Sequence, residues 1–432
     1  MTASPRTQRI AGRCLLLCLA VFATRTAWYD TRVIFESLLY SASMRKVFIV
    51  YALCLIPFVL IALPGAKYLL KSKLIAAYAI LNFYGIILAA IYQNPGIYAL
   101  QDVFKMTLVP VGFLLVWYDP PPSANQLLER LAKIIFGYQI VKFAIYLVWF
   151  RTSYGFVYGG VTDLFPVTFF AARAFSGTTR TGPRDITMAL MSLTLIGLGQ
   201  KRTLAVCVAV ILLYYLVTYF GHVLRRAWPY LAGAGCLIGS LLFGHQLNNV
   251  VNSNQFRRIL QTNVAASIGQ ESKRGREVRI VYEDLQDHGW LGLVFGIGHG
   301  AVYEEEVANV VTGEVVTHTV HFTPAAMHLR YGLLGFAVYG FTVLHLLFYR
   351  GSPVDGWISQ TSLSALRAFG LCTFVCSLAI FGLIDDLMVG SIIGITMLSR
   401  HKSRRARAAR KKALPVQQGR RRSSSSRLRQ AG

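Results

Sequence analysis

The sequence predicts an all-α protein, a polytopic transmembrane helical bundle of about 12 spans with one large extracytoplasmic loop. Three observations carry that prediction. Apolar residues make up 54% of the chain against 15% charged, with a mean hydropathy of +0.48. No single water-facing globule of 432 residues hides that much apolar surface. The apolar residues also come in runs near the length of a membrane span, about 20 residues, separated by short basic patches. One stretch breaks this pattern: from Val250 to Pro324 the chain turns polar, basic and glycine-containing before becoming apolar again.

The chain carries 44 Lys and Arg against 19 Asp and Glu, a formal net charge of +25. The excess sits in patches between apolar runs and in the tail, which is how cytoplasmic loops are marked, so it reads as orientation and no nucleic-acid partner is expected. The seven cysteines, Cys14, Cys18, Cys54, Cys207, Cys236, Cys372 and Cys376, all fall inside apolar runs. Their odd number and spacing suit neither a disulfide framework nor a metal site, and they read as small apolar packing residues.

Each element follows in order. Arg6, Arg9 and Arg13 precede the apolar run Cys14–Thr24, read as a retained first helix starting in the cytoplasm. Val47–Ala66 and Lys73–Tyr92 are spans joined by a connection carrying Lys67, Lys71 and Lys73, hence cytoplasmic. Asp102–Tyr118 is the next, ended by Pro120, Pro121 and Pro122, which lack the donor a continuing helix requires. Leu131–Phe150 holds Lys142 near mid-depth, either facing inward to bind an anion or pairing within the bundle. Val161–Ala172 is short and reads as broken or re-entrant, tolerated where protein surrounds the backbone. Ile186–Leu198, Thr203–Tyr219 and Trp228–Leu247 follow, and Ala325–Tyr349, Ser364–Ile384 and Leu387–Ser399 close the bundle. This gives residues 1–247 as an N-terminal transmembrane bundle of about nine spans, 248–325 as the extracytoplasmic loop, and 326–399 as the C-terminal transmembrane helices. The last part, 400–432, has many Lys and Arg, serines at Ser423–Ser426 and few apolar residues, so it is expected to be a disordered cytoplasmic tail against anionic lipid.

The loop holds the candidate chemistry. An enzyme working outside the membrane has no nucleoside triphosphate supply and needs substrates already activated, for which lipid-linked diphosphates suffice. Arg202, at the outer end of a span, and Arg276 and Arg279 in the loop offer planar donor forks that match diphosphate oxygens. Arg276 and Arg279 equally fit a solvated basic face with Lys273 and Arg274. His321 sits just before an apolar helix, where an imidazole can take a proton from a sugar hydroxyl. His299, His318 and His328 compete for that role, and a histidine near a helix end is commonly a structural hydrogen-bonder. No metal site is expected: Asp385 and Asp386 read as a cap or turn, and Asp284 and Asp287, on an amphipathic helix from Arg276 to His288, can pair with its own arginines.

The run Gly296-Ile297-Gly298-His299-Gly300, then His321-Phe322, then Gly332-Leu333-Leu334-Gly335-Phe336, resembles the signature of the O-antigen ligase and polysaccharide polymerase family. Gln200-Lys201-Arg202-Thr203 is similar to that family's Ser-Arg pair opening a span, and Arg173 to Pro183 resembles its Arg-to-Gly-to-Pro-Asn segment. The resemblance implies a C-type glycosyltransferase-like membrane fold and an inverting, metal-independent glycosyltransferase with no cofactor. Its donor would be an undecaprenyl-diphosphate-linked glycan. Its acceptor would be another lipid-linked repeat unit, as in an O-antigen or exopolysaccharide polymerase, the reading preferred here, or a lipid core, as in a ligase. Matched residue by residue, His321 is the base, Arg202 a diphosphate binder, and Arg276 or Arg279 the second contact. The chain departs from the pattern at Phe322 and Arg184, where the family usually has Asn, and at Lys201, where it usually has Ser. These departures bear on how the acceptor is handled. The family also implies a bacterial plasma (inner) membrane location and chain-length regulator and flippase proteins as partners, while the charge pattern puts both termini in the cytoplasm and the apolar spans in contact with membrane lipid. A reading of another class is a transporter or flippase of lipid-linked sugars, in which the arginines guide a diphosphate and no bond breaks. Such proteins often carry repeated spans, and no convincing repeat relates the two halves here.

Overall fold

A computed structural model describes residues 5–23, 44–118, 120–149, 161–176, 182–198, 202–226, 273–304, 316–317, 320–378 and 386–429. The protein is mostly helical. The helices are α1 (Pro5–Ala23), α2 (Met44–Ala62), α3 (Lys73–Ile91), α4 (Gly96–Tyr118), α5 (Ala124–Trp149), α6 (Phe165–Ser176), α7 (Gly182–Leu198) and α8 (Arg202–Arg226). They continue with α9 (Lys273–Asp287), α10 (Gly289–Phe295), α11 (Thr323–Phe348), α12 (Gln360–Ser377) and α13 (Leu387–Arg429). Between α10 and α11, β1 (Tyr303–Glu304) and β2 (Val316–Thr317) form a short antiparallel pair, Tyr303 opposite Thr317.

Among the described residues, four stretches are long and apolar enough to cross a membrane: Leu53–Lys71, Lys73–Ile91, Gly96–Tyr118 and Thr323–Phe348. Their packing explains why so much apolar surface stays outside. On α3, Tyr78 and Leu81 are buried while Ile80, Phe83 and Ile87 face outward; on α11, Phe336, Phe341 and Leu344 do the same. A water-soluble protein does not leave such continuous apolar faces uncovered, whereas a lipid environment favours them. This is the construction of a membrane protein.

Local chemistry fixes the helix starts. The Ser72 hydroxyl accepts from the Ile75 amide at 3.4 Å to begin α3, Ser359 accepts from Ser362 at 3.1 Å to begin α12, and the Asp386 carboxylate accepts from Met388 at 2.8 Å to begin α13. Asp386 is therefore a cap. Inside the bundle, polar side chains tie helices together. Tyr78 bonds Thr342 at 2.9 Å, joining α3 to α11, and the Tyr215 hydroxyl donates to the Thr168 carbonyl at 2.6 Å, joining α8 to α6. Cys207 lies 3.3 Å from Cys376 and donates to the Cys372 carbonyl at 3.6 Å, all buried in the α8–α12 contact. Lys142 is buried on α5 with its ammonium 5.7 Å from the Tyr138 ring centre.

Several element bounds differ from the sequence reading, and two of the differences bear on the site and the tail. α4 begins at Gly96, a turn and a half before Asp102, so Asp102 is carried into the bundle instead of marking its edge. The region from Val161, expected to be a broken element surrounded by protein, is a one-turn 3-10 segment, Val161–Leu164, leading into α6, and residues 161–172 are all buried. The tail, expected to be disordered, continues α13 as helix to Arg429. Low apolar content removes the means to pack but not the local preference, and Arg, Lys, Ala and Gln are strong helix formers. The expected span Trp228–Leu247, with Cys236, falls outside the described residues, as do Lys201, His318 and Asp385.

Candidate active site

Two glycine-linked turns place the loop residues against the bundle. α11 is broken at Gly332, where φ is 58° and ψ −147°, a conformation only glycine adopts readily. A helix interrupted there leaves the carbonyls before the break without helical donors. The backbone after α10 supplies them: Ile297 N donates to Leu329 O at 2.8 Å and Gly298 N to Arg330 O at 2.9 Å. Gly298 itself has φ 88° and sits so close to the α3 backbone at Leu88 and Ala89 that a Cβ would strike it. The glycine motif and the broken helix are therefore two halves of one joint.

His299 locks the joint. It is fully buried. Its Nε2 meets the Asn82 carbonyl at 3.0 Å and the Asn82 side-chain oxygen at 2.9 Å; a backbone carbonyl only accepts, so Nε2 carries the proton and Nδ1 accepts from the Tyr331 hydroxyl at 3.1 Å. Asn94 donates to the carbonyls of Ile297 and His299 at 2.7 and 2.8 Å. Beside it, Arg330 Nε donates to Asp102 Oδ2 at 2.6 Å, with side chains only 1% and 3% exposed, and the same oxygen accepts from Gly300 N at 2.9 Å. An ion pair so buried is held by its additional hydrogen bonds. His299 is a structural histidine.

His328 is likewise fully engaged. Its Nε2 donates to Leu293 O at 2.7 Å and its Nδ1 accepts from the Tyr282 hydroxyl at 3.1 Å. Burial raises the Tyr282 phenol above its ordinary pKa, which keeps the donating proton in place.

His321 is different. It stands two residues before α11, whose first turn contains Pro324, and it faces α9. On α9, Glu277, Val281 and Leu285 recur at helical spacing and are all buried, so the one carboxylate of that stripe is carried under the loop. Glu277 Oε1 accepts from the His321 amide at 2.6 Å, from the His321 ring Nδ1 at 3.1 Å and from the buried Tyr303 hydroxyl at 3.2 Å. Since a carboxylate only accepts, Nδ1 carries a proton, and in the neutral ring Nε2 presents its lone pair. The His321 side chain is 42% exposed while that of Glu277 is 5% exposed. Nε2 has no hydrogen-bond partner among the described residues.

The arginines separate. Arg276, next to Glu277, is exposed and makes no ion pair among the described residues. Arg279 is exposed and paired with Glu283 at 3.2 Å. Arg202 is the first residue of α8, and its side chain lies outside the described part of the structure. Arg173, in the segment resembling the family's, pairs with Glu129 at 3.1 Å and Asp185 at 3.2 Å. Among the described residues no group of three or more His, Cys, Asp and Glu side chains is placed to share a metal ion.

The sequence reading chose His321 but passed over Glu277, Asp102 and Arg330. The signal for Glu277 was present: it continues the Val281, Leu285 stripe backward by one turn. Compared with known families and curated proteins, the chain matches no family model and no curated relative.

Proposed function

We propose that the protein is an inverting membrane glycosyltransferase that transfers an undecaprenyl-diphosphate-linked glycan to an acceptor hydroxyl at the outer membrane face. Its preferred reaction is polymerisation of O-antigen or exopolysaccharide repeat units. The observation that carries this reading is the Glu277–His321 pair: a half-exposed imidazole whose Nδ1 is held by a buried carboxylate and whose Nε2 is left to act.

In this reading the acceptor O–H gives its proton to His321 Nε2 as its oxygen attacks the anomeric carbon opposite the diphosphate. The anomeric C–O bond breaks, the electron pair leaves on undecaprenyl diphosphate, and the imidazolium later returns its proton to water. Glu277 fixes the tautomer and offsets the positive ring. Arg276, exposed and without an ion-pair partner among the described residues, is the better placed of the two loop arginines to meet the leaving diphosphate, with Arg202 as the second. The same reading carries a C-type-like bundle of about 12 spans in a bacterial inner membrane, with both termini cytoplasmic and the α9–α10 region outside.

The test is transfer by purified protein in lipid, given an undecaprenyl-diphosphate-linked glycan alone. Lengthened glycan with release of undecaprenyl diphosphate, lost in His321→Ala, is the expected outcome. Normal transfer by that variant rejects the base. Product formed only after a lipid-core acceptor is added makes the protein a ligase, and no bond change in either case makes it a transporter.

A further inference from the structure

At the end of the bundle opposite His321, a cleft of about 540 Å³ opens between α4, α11, α13 and the 3-10 segment Leu63–Lys71. Helix direction fixes its place. α4 starts beside the glycine loop, at Ala99 against Gly300, and ends at the cleft with Trp117; α11 starts beside His321 and ends there with Tyr349. Along α4, Ala99 and Trp117 are separated by about 27 Å of helix, so the cleft and the glycine loop lie about a membrane's apolar thickness apart.

The cleft gathers positive charge. Lys71 comes from one wall, and Arg400, His401, Arg404 and Arg405 from one face of α13, where residues three and four apart are neighbours. None of the described lining residues is acidic. The Arg400 guanidinium lies 5.2 Å from the Tyr349 ring centre, and the His401 ring is 6.0 Å from Trp117. Burial, and then the charges of Arg405, Lys71 and Arg404, hold His401 below the ordinary histidine range, so these cations act on one point. Like charges converging without a counter-charge repel one another, and a bound anion relieves that cost. The remaining wall is apolar, formed by Met397 and Leu398, while Tyr68 and Trp117 are the ring types enriched where a membrane meets water.

We propose that this cleft is a binding site for a phosphate ester, filled by the headgroup of an anionic phospholipid whose chains continue along the apolar wall. Arginine forks suit phosphate oxygens, and the aromatic and apolar lining suits the glycerol and chain ends. The site stands apart from the transfer chemistry and does not rest on it.

The experiment uses the full chain in detergent micelles, with lipid retention read by native mass spectrometry. Phosphatidylglycerol is offered against phosphatidylcholine at equal concentration. The wild type is expected to retain one phosphatidylglycerol about tenfold better than phosphatidylcholine, and Arg400→Gln with Arg404→Gln is expected to weaken that retention about tenfold. Removing the same charge from the tail, by Arg420→Gln with Arg421→Gln, should change it by less than about twofold. Lys71→Gln, on an exposed residue of the other wall, provides a second variant should the arginine pair fail to fold, with an expected loss of about threefold. Equal retention of the two lipids, or equal losses from the cleft and tail variants, overturns the proposal. Inorganic phosphate distinguishes the source of the anion. Persistence of phosphatidylglycerol in millimolar phosphate supports the lipid, and its full displacement, with phosphate bound in its place, overturns the lipid assignment in favour of a soluble phosphate ester.

Discussion

The His299 and His321 regions begin from similar material and end in opposite states. Each sets a histidine near the start or break of α11 against side chains from another element. Around His299, both ring nitrogens are taken and the neighbouring Asp102–Arg330 pair is sealed from water. Around His321, the carboxylate and the Tyr303 hydroxyl bonded to it are buried, while the ring is half in solvent with one nitrogen committed. The difference teaches that a histidine's role is set by how many of its nitrogens the fold consumes. A saturated imidazole holds backbone in place; a half-saturated one has a known tautomer and a lone pair available for proton transfer.

The comparison breaks first at its reactive end. His321→Ala should lower turnover by about a hundredfold to ten-thousandfold while the thermal midpoint moves by no more than a few degrees; transfer assays and thermal unfolding of the same preparation check both. The structural end should respond in the opposite sense. Asp102→Ala leaves the Arg330 charge buried without its partner and should cost about 3–5 kcal/mol of stability, read by denaturation in detergent. Replacing both, with Asp102→Leu and Arg330→Met, should recover much of that loss, and a harmless single variant would contradict the ion-pair assignment.

Glu277→Gln sharpens the comparison, because it keeps the volume and removes the charge. Turnover should fall on the order of tenfold to a hundredfold, a part of the base's own contribution, with KM within about twofold. An unchanged turnover would mean that Glu277 serves only packing. The smallest effects belong to the arginines. Arg276→Ala should raise KM for the lipid-linked donor by about tenfold, whereas Arg279→Ala, which breaks an exposed pair with Glu283, should stay within about twofold.

What the sequence made legible follows from how local each signal was. Apolar runs and basic patches are local, and α3, α4 and α11 lie close to where they indicated. The position of His321 ahead of an apolar run with Pro324 behind it was also local. The Asp102–Arg330 pair joins positions on α4 and α11 that no spacing connects, and Asp102 looked like a span boundary because a charge beside an apolar run ordinarily marks one. Glu277 was hidden by its neighbours: in the run Lys273-Arg274-Gly275-Arg276 the basic residues dominate, and one acid among them resembles a solvated charge. His299 could not be separated from His321 on composition, since what distinguishes them is Asn82, more than two hundred residues away in the chain. The helical tail was missed because disorder was inferred from what the segment cannot bury, although a helix needs no burial to be locally preferred.

The break at Gly332 turns the outer part of α11 into a lever. Nine residues of helix separate it from Phe322, a reach of about 14 Å, so a rotation of about 5° at the break would swing the imidazole by about 1 Å. A displacement of that size can cost about a hundredfold in rate. The bonds from Ile297 and Gly298 to the exposed carbonyls, with the Asp102–Arg330 pair beside them, clamp that lever at its pivot. In the proposed reaction the aim of His321 is thus set from the interior of the bundle, by residues that would not meet the acceptor.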